Sequence, residues 1–142
     1  PLSKDLKKLT KALKAEDKIE FMGLFNPVEL RTQTQKAWVG LCLFSETGLH
    51  HRYSLGNRFF DYFHAEVPQI AMDFPEYQSF NAQHRVASLI PILNKESLKS
   101  AILELSENTE KYAELKVNCA KAREDNCWEK ESIKLLSFYS KI

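Results

Sequence analysis

Residues 50–64, HHRYSLGNRFFDYFH, hold three of the chain's four histidines, two arginines and five aromatic residues. Within them Arg58 and His64 are the residue types that do acid–base and phosphate chemistry. An imidazole moves a proton near neutral pH, and a guanidinium stabilises the charge that develops on a phosphorane. Laid on a helical wheel, Phe59, Phe60, Phe63 and Val67 cluster within about 100°, with Arg58, Asp61 and His64 on the other side. The Phe side reads as core. The polar side reads as a surface strip in which Arg58 and Asp61 pair at i, i+3.

The Arg58-x5-His64 spacing resembles the Arg-x(4–6)-His signature of HEPN-superfamily ribonucleases, over residues 58–64. That resemblance implies small helical domains that pair so that Arg and His of two chains meet at the scissile phosphate. Arg58 and His64 would then be the catalytic residues of a metal-independent ribonuclease.

Other chemistries lack their motifs. His50, His51, His64, His84 and Cys42 show no HExxH, CxxC or Glu-x-x-His spacing, and adjacent His50 and His51 point in different directions on any regular element, so no metal is expected. There is no GxSxG, and Cys42 sits in the apolar run AWVGLCLF, where a thiol pKa rises. Gly23, Gly40, Gly48 and Gly56 are scattered and form no phosphate-cradling loop, so no cofactor is expected.

A second pattern lies at the start. Leu2, Leu6, Leu9 and Leu13 recur at helical spacing, with Ser3 available as a cap. Lys4, Lys7, Lys8, Lys11, Lys14 and Lys18 fall within roughly 120° of the same wheel, opposite the leucines. Such a stripe suits an acidic protein surface. It also suits phosphate, although lysines without interleaved Arg or aromatic residues do not read bases.

The bulk numbers bound these options. A chain of 142 residues fits one domain, and 44% hydrophobic content supports a real core. Lys and Arg number 20 against 19 Asp and Glu, so the net charge of +1 provides no global pull toward nucleic acid or anionic lipid. Cys42, Cys119 and Cys127 make an odd count without CxxC spacing, which points to free thiols in the cytoplasm. The longest apolar run, residues 37–44, is too short to span a bilayer.

The elements that must position these residues read as helices. After the opening helix, NPVE at 26–29 has a capping Asn26, Pro27 at the first helical position and Glu29 for a capping box, which predicts a second helix to about Glu46. A buried strand over residues 37–44 is the rival, since periodicity does not separate the two in so short a run. Thr47-Gly48 and LGN at 55–57 punctuate the chain before a short helix, NRFFDYFHAEV, stopped by Pro68. Pro68 and Pro75 bracket QIAMDF as a loop, and FNAQHRVASLI reads as another helix. Positions Leu98, Ala101, Leu105, Asn108, Tyr112, Leu115, Cys119 and Ala122 then alternate by threes and fours, predicting one helix of roughly 40 Å. A last segment carries Trp128, Leu135, Leu136, Tyr139 and Ile142 near one face.

The expectation is therefore an all-α single domain over residues 1–142, a bundle or orthogonal array of five to six helices with a long C-terminal helix. Its work reads as binding: a non-catalytic interaction module of the inhibitor, immunity-type or adaptor kind, with an acidic protein partner and no membrane. The expected contacts are the Lys stripe, the strip of Arg58, Asp61, Tyr62 and His64, and Tyr77 and Phe80 as exposed anchors. The alternatives are the ribonuclease and a salt-sensitive nucleic-acid binder using the Lys stripe. The face over residues 98–122 is expected to pack on other helices of the same chain, with a homodimer seam as the alternative.

Overall fold

The computed structural model describes residues 2–46 and 48–140; Pro1, Thr47, Lys141, Ile142 and the side chain of Leu2 lie outside it. It is an α/β structure, which corrects the all-α expectation. In chain order the elements are α1 (Leu2–Ala12), α2 (Pro27–Thr34), β1 (Gly40–Cys42), α3 (Leu49–Arg52), α4 (Asn57–His64), β2 (Gln69–Met72), α5 (Pro75–His84), β3 (Ala87–Ile90), α6 (Lys95–Glu107), α7 (Thr109–Asp125) and α8 (Trp128–Tyr139). The three strands form one parallel sheet in the order β1-β2-β3, with Gly40 opposite Gln69, Cys42 opposite Ala71, and Met72 opposite Ile90.

Each helix-for-strand correction has the same cause. A short run of apolar residue types that carries a strand is also what a buried helix segment looks like, so periodicity does not separate the two. Residues 37–44 are such a run, and the rival reading is the one the structure adopts, since β1 lies there. All four residues of β2 are buried, where a loop between prolines was expected. The predicted helix over 80–90 is the end of α5 followed by β3, the two separated by Arg85 in the left-handed conformation (φ 50°). Asn81 closes that turn, its amide donating to the Ala87 carbonyl at 3.1 Å and its oxygen accepting from the Ala87 N–H at 2.9 Å.

The long helix is two helices. Asn108 ends α6 with φ −97° and ψ 81°, and its side chain caps α7 by accepting from the Lys111 N–H at 2.9 Å. The seam residues Ala101, Leu105, Leu115, Cys119 and Ala122 are buried in the core of this same chain. The Lys stripe is also shorter than the wheel implies. Lys4, Lys7, Lys8 and Lys11 lie on α1, but Lys14 is in a left-handed turn (φ 51°) and Lys18 lies beyond it.

At the centre Phe59 meets Tyr77 and Phe80 edge-on, with ring centroids 5.1 and 5.3 Å apart, and Phe63 stacks on Phe80 at 5.3 Å. Edge-to-face pairs contribute about 0.5–1.5 kcal/mol each beyond area burial. This corrects the expectation of exposed anchors: Tyr77 is wholly buried and Phe80 is packed against the core. The wheel of residues 58–67, by contrast, sorts correctly, with Phe59 and Phe63 fully buried. Among the described residues, the buried apolar core runs from Cys42 to Ala122.

Candidate functional site

Three parallel strands send all their carboxyl ends to one edge, so the segments after β1, β2 and β3 emerge together there. In open parallel sheets, that edge is where ligands bind. The segment after β1 leads through α3 to the start of α4, and the segment after β2 is only Asp73 and Phe74 before α5 begins.

The start of α4 is open. Its N-cap is Gly56 (φ −73°, ψ 145°), which has no side chain to satisfy the orphan N–H groups, and no acid lies in the first turn. Arg58 stands on that turn, exposed. A helix start of this kind carries positive potential and free donors, and an arginine beside it adds a planar fork suited to phosphate oxygens.

Buried contacts hold the opening in place. The Gly56 N–H donates to the Tyr77 hydroxyl at 3.1 Å, and the same hydroxyl lies 3.7 Å from the Cys42 thiol at the end of β1. Burial raises the Tyr77 pKa to about 12, and burial likewise pushes the Cys42 thiol up. The Arg58 charge opposes both shifts, which puts its guanidinium within electrostatic reach of Cys42 and Tyr77. A Cβ on Gly56 would come within 2.8 Å of the Phe44 ring, so the close approach of the two segments requires glycine.

α3 lies against the same edge. His51 sits 5.0 Å from the Phe44 ring and 4.0 Å from His50, and the Arg52 guanidinium is 6.0 Å from the Phe74 ring. The buried His51 Nδ1 has no hydrogen-bond partner. Among the described residues no three His, Cys, Asp or Glu side chains converge as a metal site. Cys42, Cys119 and Cys127 are free thiols, the first two buried. No helix of the described residues is long and apolar enough to cross a membrane.

The residues singled out in the sequence separate. Arg58 and, beneath it, Tyr77 belong to this edge. His64 is six residues further along α4, about 9 Å in axial rise. It stacks on Phe63 at 4.8 Å and lines a groove with Pro27, Leu30, Arg31, Thr34 and Asp61, where burial lowers its pKa. Arg58 and Asp61 form no ion pair among the described residues. Tyr62 packs its ring over Gly40, where any Cβ would come within 2.5 Å of it. Lys7 lies 5.6 Å from the centre of the Phe21 ring.

Gly56 and His51 were missed as residues of this edge. Their signal was present: twice a short apolar run is followed by turn residues and then a helix start, the grammar of a βα unit. Once AWVGLCLF and QIAM are taken as helix and loop, LGN and DFP become mere punctuation.

No family model matches the sequence, and no curated protein is similar to it. Among solved structures the chain is similar in fold to sucrose-phosphate synthase from Thermosynechococcus elongatus, with a TM-score of 0.74 at 17% identity. The likeness covers 97% of this chain and 33% of that one, so the chain spans about a third of that protein's length.

Proposed function

We propose that this chain is the donor-binding part of a sugar-transferring enzyme, holding the phosphate groups of an activated sugar at the carboxyl edge of its sheet. One observation carries the reading: α4 begins there without a side-chain cap, with Arg58 on its first turn and Tyr77 fixing the Gly56 backbone. The substrate class comes from the fold neighbour, whose name states that it makes a sugar phosphate joined from two sugars. Forming a glycosidic bond requires a donor with a good leaving group, and a phosphate or nucleoside diphosphate is one that helix N-termini and arginine hold well. In this reading Arg58 balances the charge on the departing phosphate and the α4 N–H groups orient it.

The test is titration of the isotope-labelled chain with uridine, adenosine and guanosine diphosphates, read amide by amide. Binding of one of them is expected to shift Gly56, Asn57, Arg58 and the α3 residues. Arg58→Ala should weaken it by about tenfold, the effect of losing one charge-assisted hydrogen bond. Saturating nucleotide that leaves those amides unmoved sinks the proposal.

A second reading, the non-catalytic interaction module, is favoured by the apolar side chains left in solvent on α1 and α8, among them Leu9, Trp128, Leu136 and Phe138. Under it the α1 lysines Lys4, Lys7, Lys8 and Lys11 rim a protein contact. The same titration then shows no nucleotide-dependent shift at the sheet edge.

A further inference from the structure

β3 ends the sheet on the side opposite β1, and among the described residues no strand lies beyond it. A strand in that place carries a row of backbone groups that its own sheet does not use. The Ile90 carbonyl accepts from the Asp73 N–H at 2.9 Å, so Ser88 and Ile90 turn their backbone groups toward β2. Ala87 and Leu89 alternate with them and turn theirs outward. The two outward residues fare differently. Asn81 pairs with both groups of Ala87, as a residue of a fourth strand would. The N–H and C=O of Leu89 have no partner among the described residues.

Leu89 lines a groove of about 480 Å³ between β3 and α6. Ser88 and Leu89 border it from the strand, and Glu96, Ser97, Ser100 and Glu104 from the helix. Ser88 is 7% exposed, and its hydroxyl bonds to nothing among the described residues. A polar group so deeply buried ordinarily has a hydrogen-bond partner, and the groove is the side from which one can reach it. The charge along this surface is one-sided. Past Glu104 the groove runs into a hollow where Lys111 pairs with Glu104 at 2.6 Å and Arg85 with Glu114 at 2.8 Å. Glu96 has no ion-pair partner among the described residues, and neither do Glu107 and Glu110, which continue the surface beyond Glu104. Three carboxylates are therefore unpaired, while both bases bordering this surface, Arg85 and Lys111, are engaged.

We infer that the groove along β3 docks a short extended segment of a second, different protein, which pairs with the sheet at Leu89 and carries a lysine or arginine at each end. The free N–H and C=O of Leu89 call for a backbone that both donates and accepts, which an added strand supplies. Glu96 and Glu104 stand eight residues apart on α6, about 12 Å along its axis, and about five residues of extended chain cover that span. One basic end then lies beside Glu96 and the other toward Glu107 and Glu110. A second copy of this chain suits the groove badly, since β3 against β3 brings acids against acids. The contact is also confined. Asn81 already occupies Ala87, and Pro91 at the other end has no N–H, so the strand adds over Leu89 and not along a bare edge. The groove shares no residue with the site at the start of α4, so this inference and the sugar-transfer reading fail separately.

The test titrates the isotope-labelled chain with the peptide acetyl-Lys-Val-Ser-Val-Lys-amide, with its Glu-Val-Ser-Val-Glu counterpart, and with the basic peptide N-methylated at its serine and the valine that follows. Each titration is read amide by amide, with hydrogen exchange alongside. The basic peptide is expected to shift Ser88, Leu89, Glu96 and Ser100 and to slow exchange of the Leu89 N–H by about tenfold or more at saturation. The other two peptides should bind about tenfold more weakly or worse, the first for want of matching charge and the second for want of a backbone donor facing β3. Glu96→Lys, at an exposed position, should weaken the basic peptide by about tenfold and improve the acidic one. Four outcomes overturn the inference: equal binding of the basic and acidic peptides, undiminished binding of the N-methylated one, no shift at Leu89 with millimolar basic peptide, or Leu89 protection that rises with the concentration of the chain alone, which would assign the edge to a second copy.

Discussion

At the scale of single residues, the side chains with catalytic chemistry and those that build the site are different sets. Arg58 is exposed and held by no ion pair among the described residues, while Tyr77 is fully buried and bonded to the Gly56 backbone. Tyr77→Phe removes the acceptor of a half-buried N–H and should cost about 1–3 kcal/mol in denaturant unfolding. Arg58→Ala should leave stability within about 0.5 kcal/mol and act on ligand binding alone. Equal losses of stability in the two variants would show that the arginine is structural. This division was half legible in the sequence. Arg58 stood out by type, whereas Tyr77 looked like an exposed anchor because nothing in the order of residues reveals which aromatic lies under a sheet edge.

Among the elements, caps were the most legible features. Asn26, Pro27 and Glu29 form the capping box that their spacing predicts, with the Asn26 side chain accepting from the Glu29 N–H at 2.9 Å and Glu29 reaching back to Asn26 at 3.2 Å. Asn108 was read as a polar residue inside one long helix, but an asparagine competes with its own helix and serves better at a boundary. Asn108→Ala should therefore cost about 1 kcal/mol through loss of the α7 cap, measured by thermal or denaturant unfolding. A gain in helicity with unchanged stability would mean that the chain prefers the continuous helix. The strands were the least legible elements. AWVGLCLF and QIAM have no period, and their strand character exists only because each is a partner for the other.

For the whole molecule, the division between core and bare surface sets where substitutions matter. Phe59→Ala empties a position touching four aromatic rings and should cost about 3–5 kcal/mol. Leu9→Glu, on the exposed face of α1, should change the stability of residues 1–142 by less than about 0.5 kcal/mol. A large loss in the second variant would place α1 against this chain's own core.

Local chemistry in the sequence determined the Asn26 capping box, the Phe face of α4 and the amphipathic first helix, because each depends on residues within a few positions of one another. Tertiary structure alone decided that three apolar runs would pair as parallel strands, since a strand has no partner within its own segment. The site followed from that choice: Arg58, Tyr77 and Cys42 meet only because parallel pairing brings the ends of β1 and β2 to the same edge.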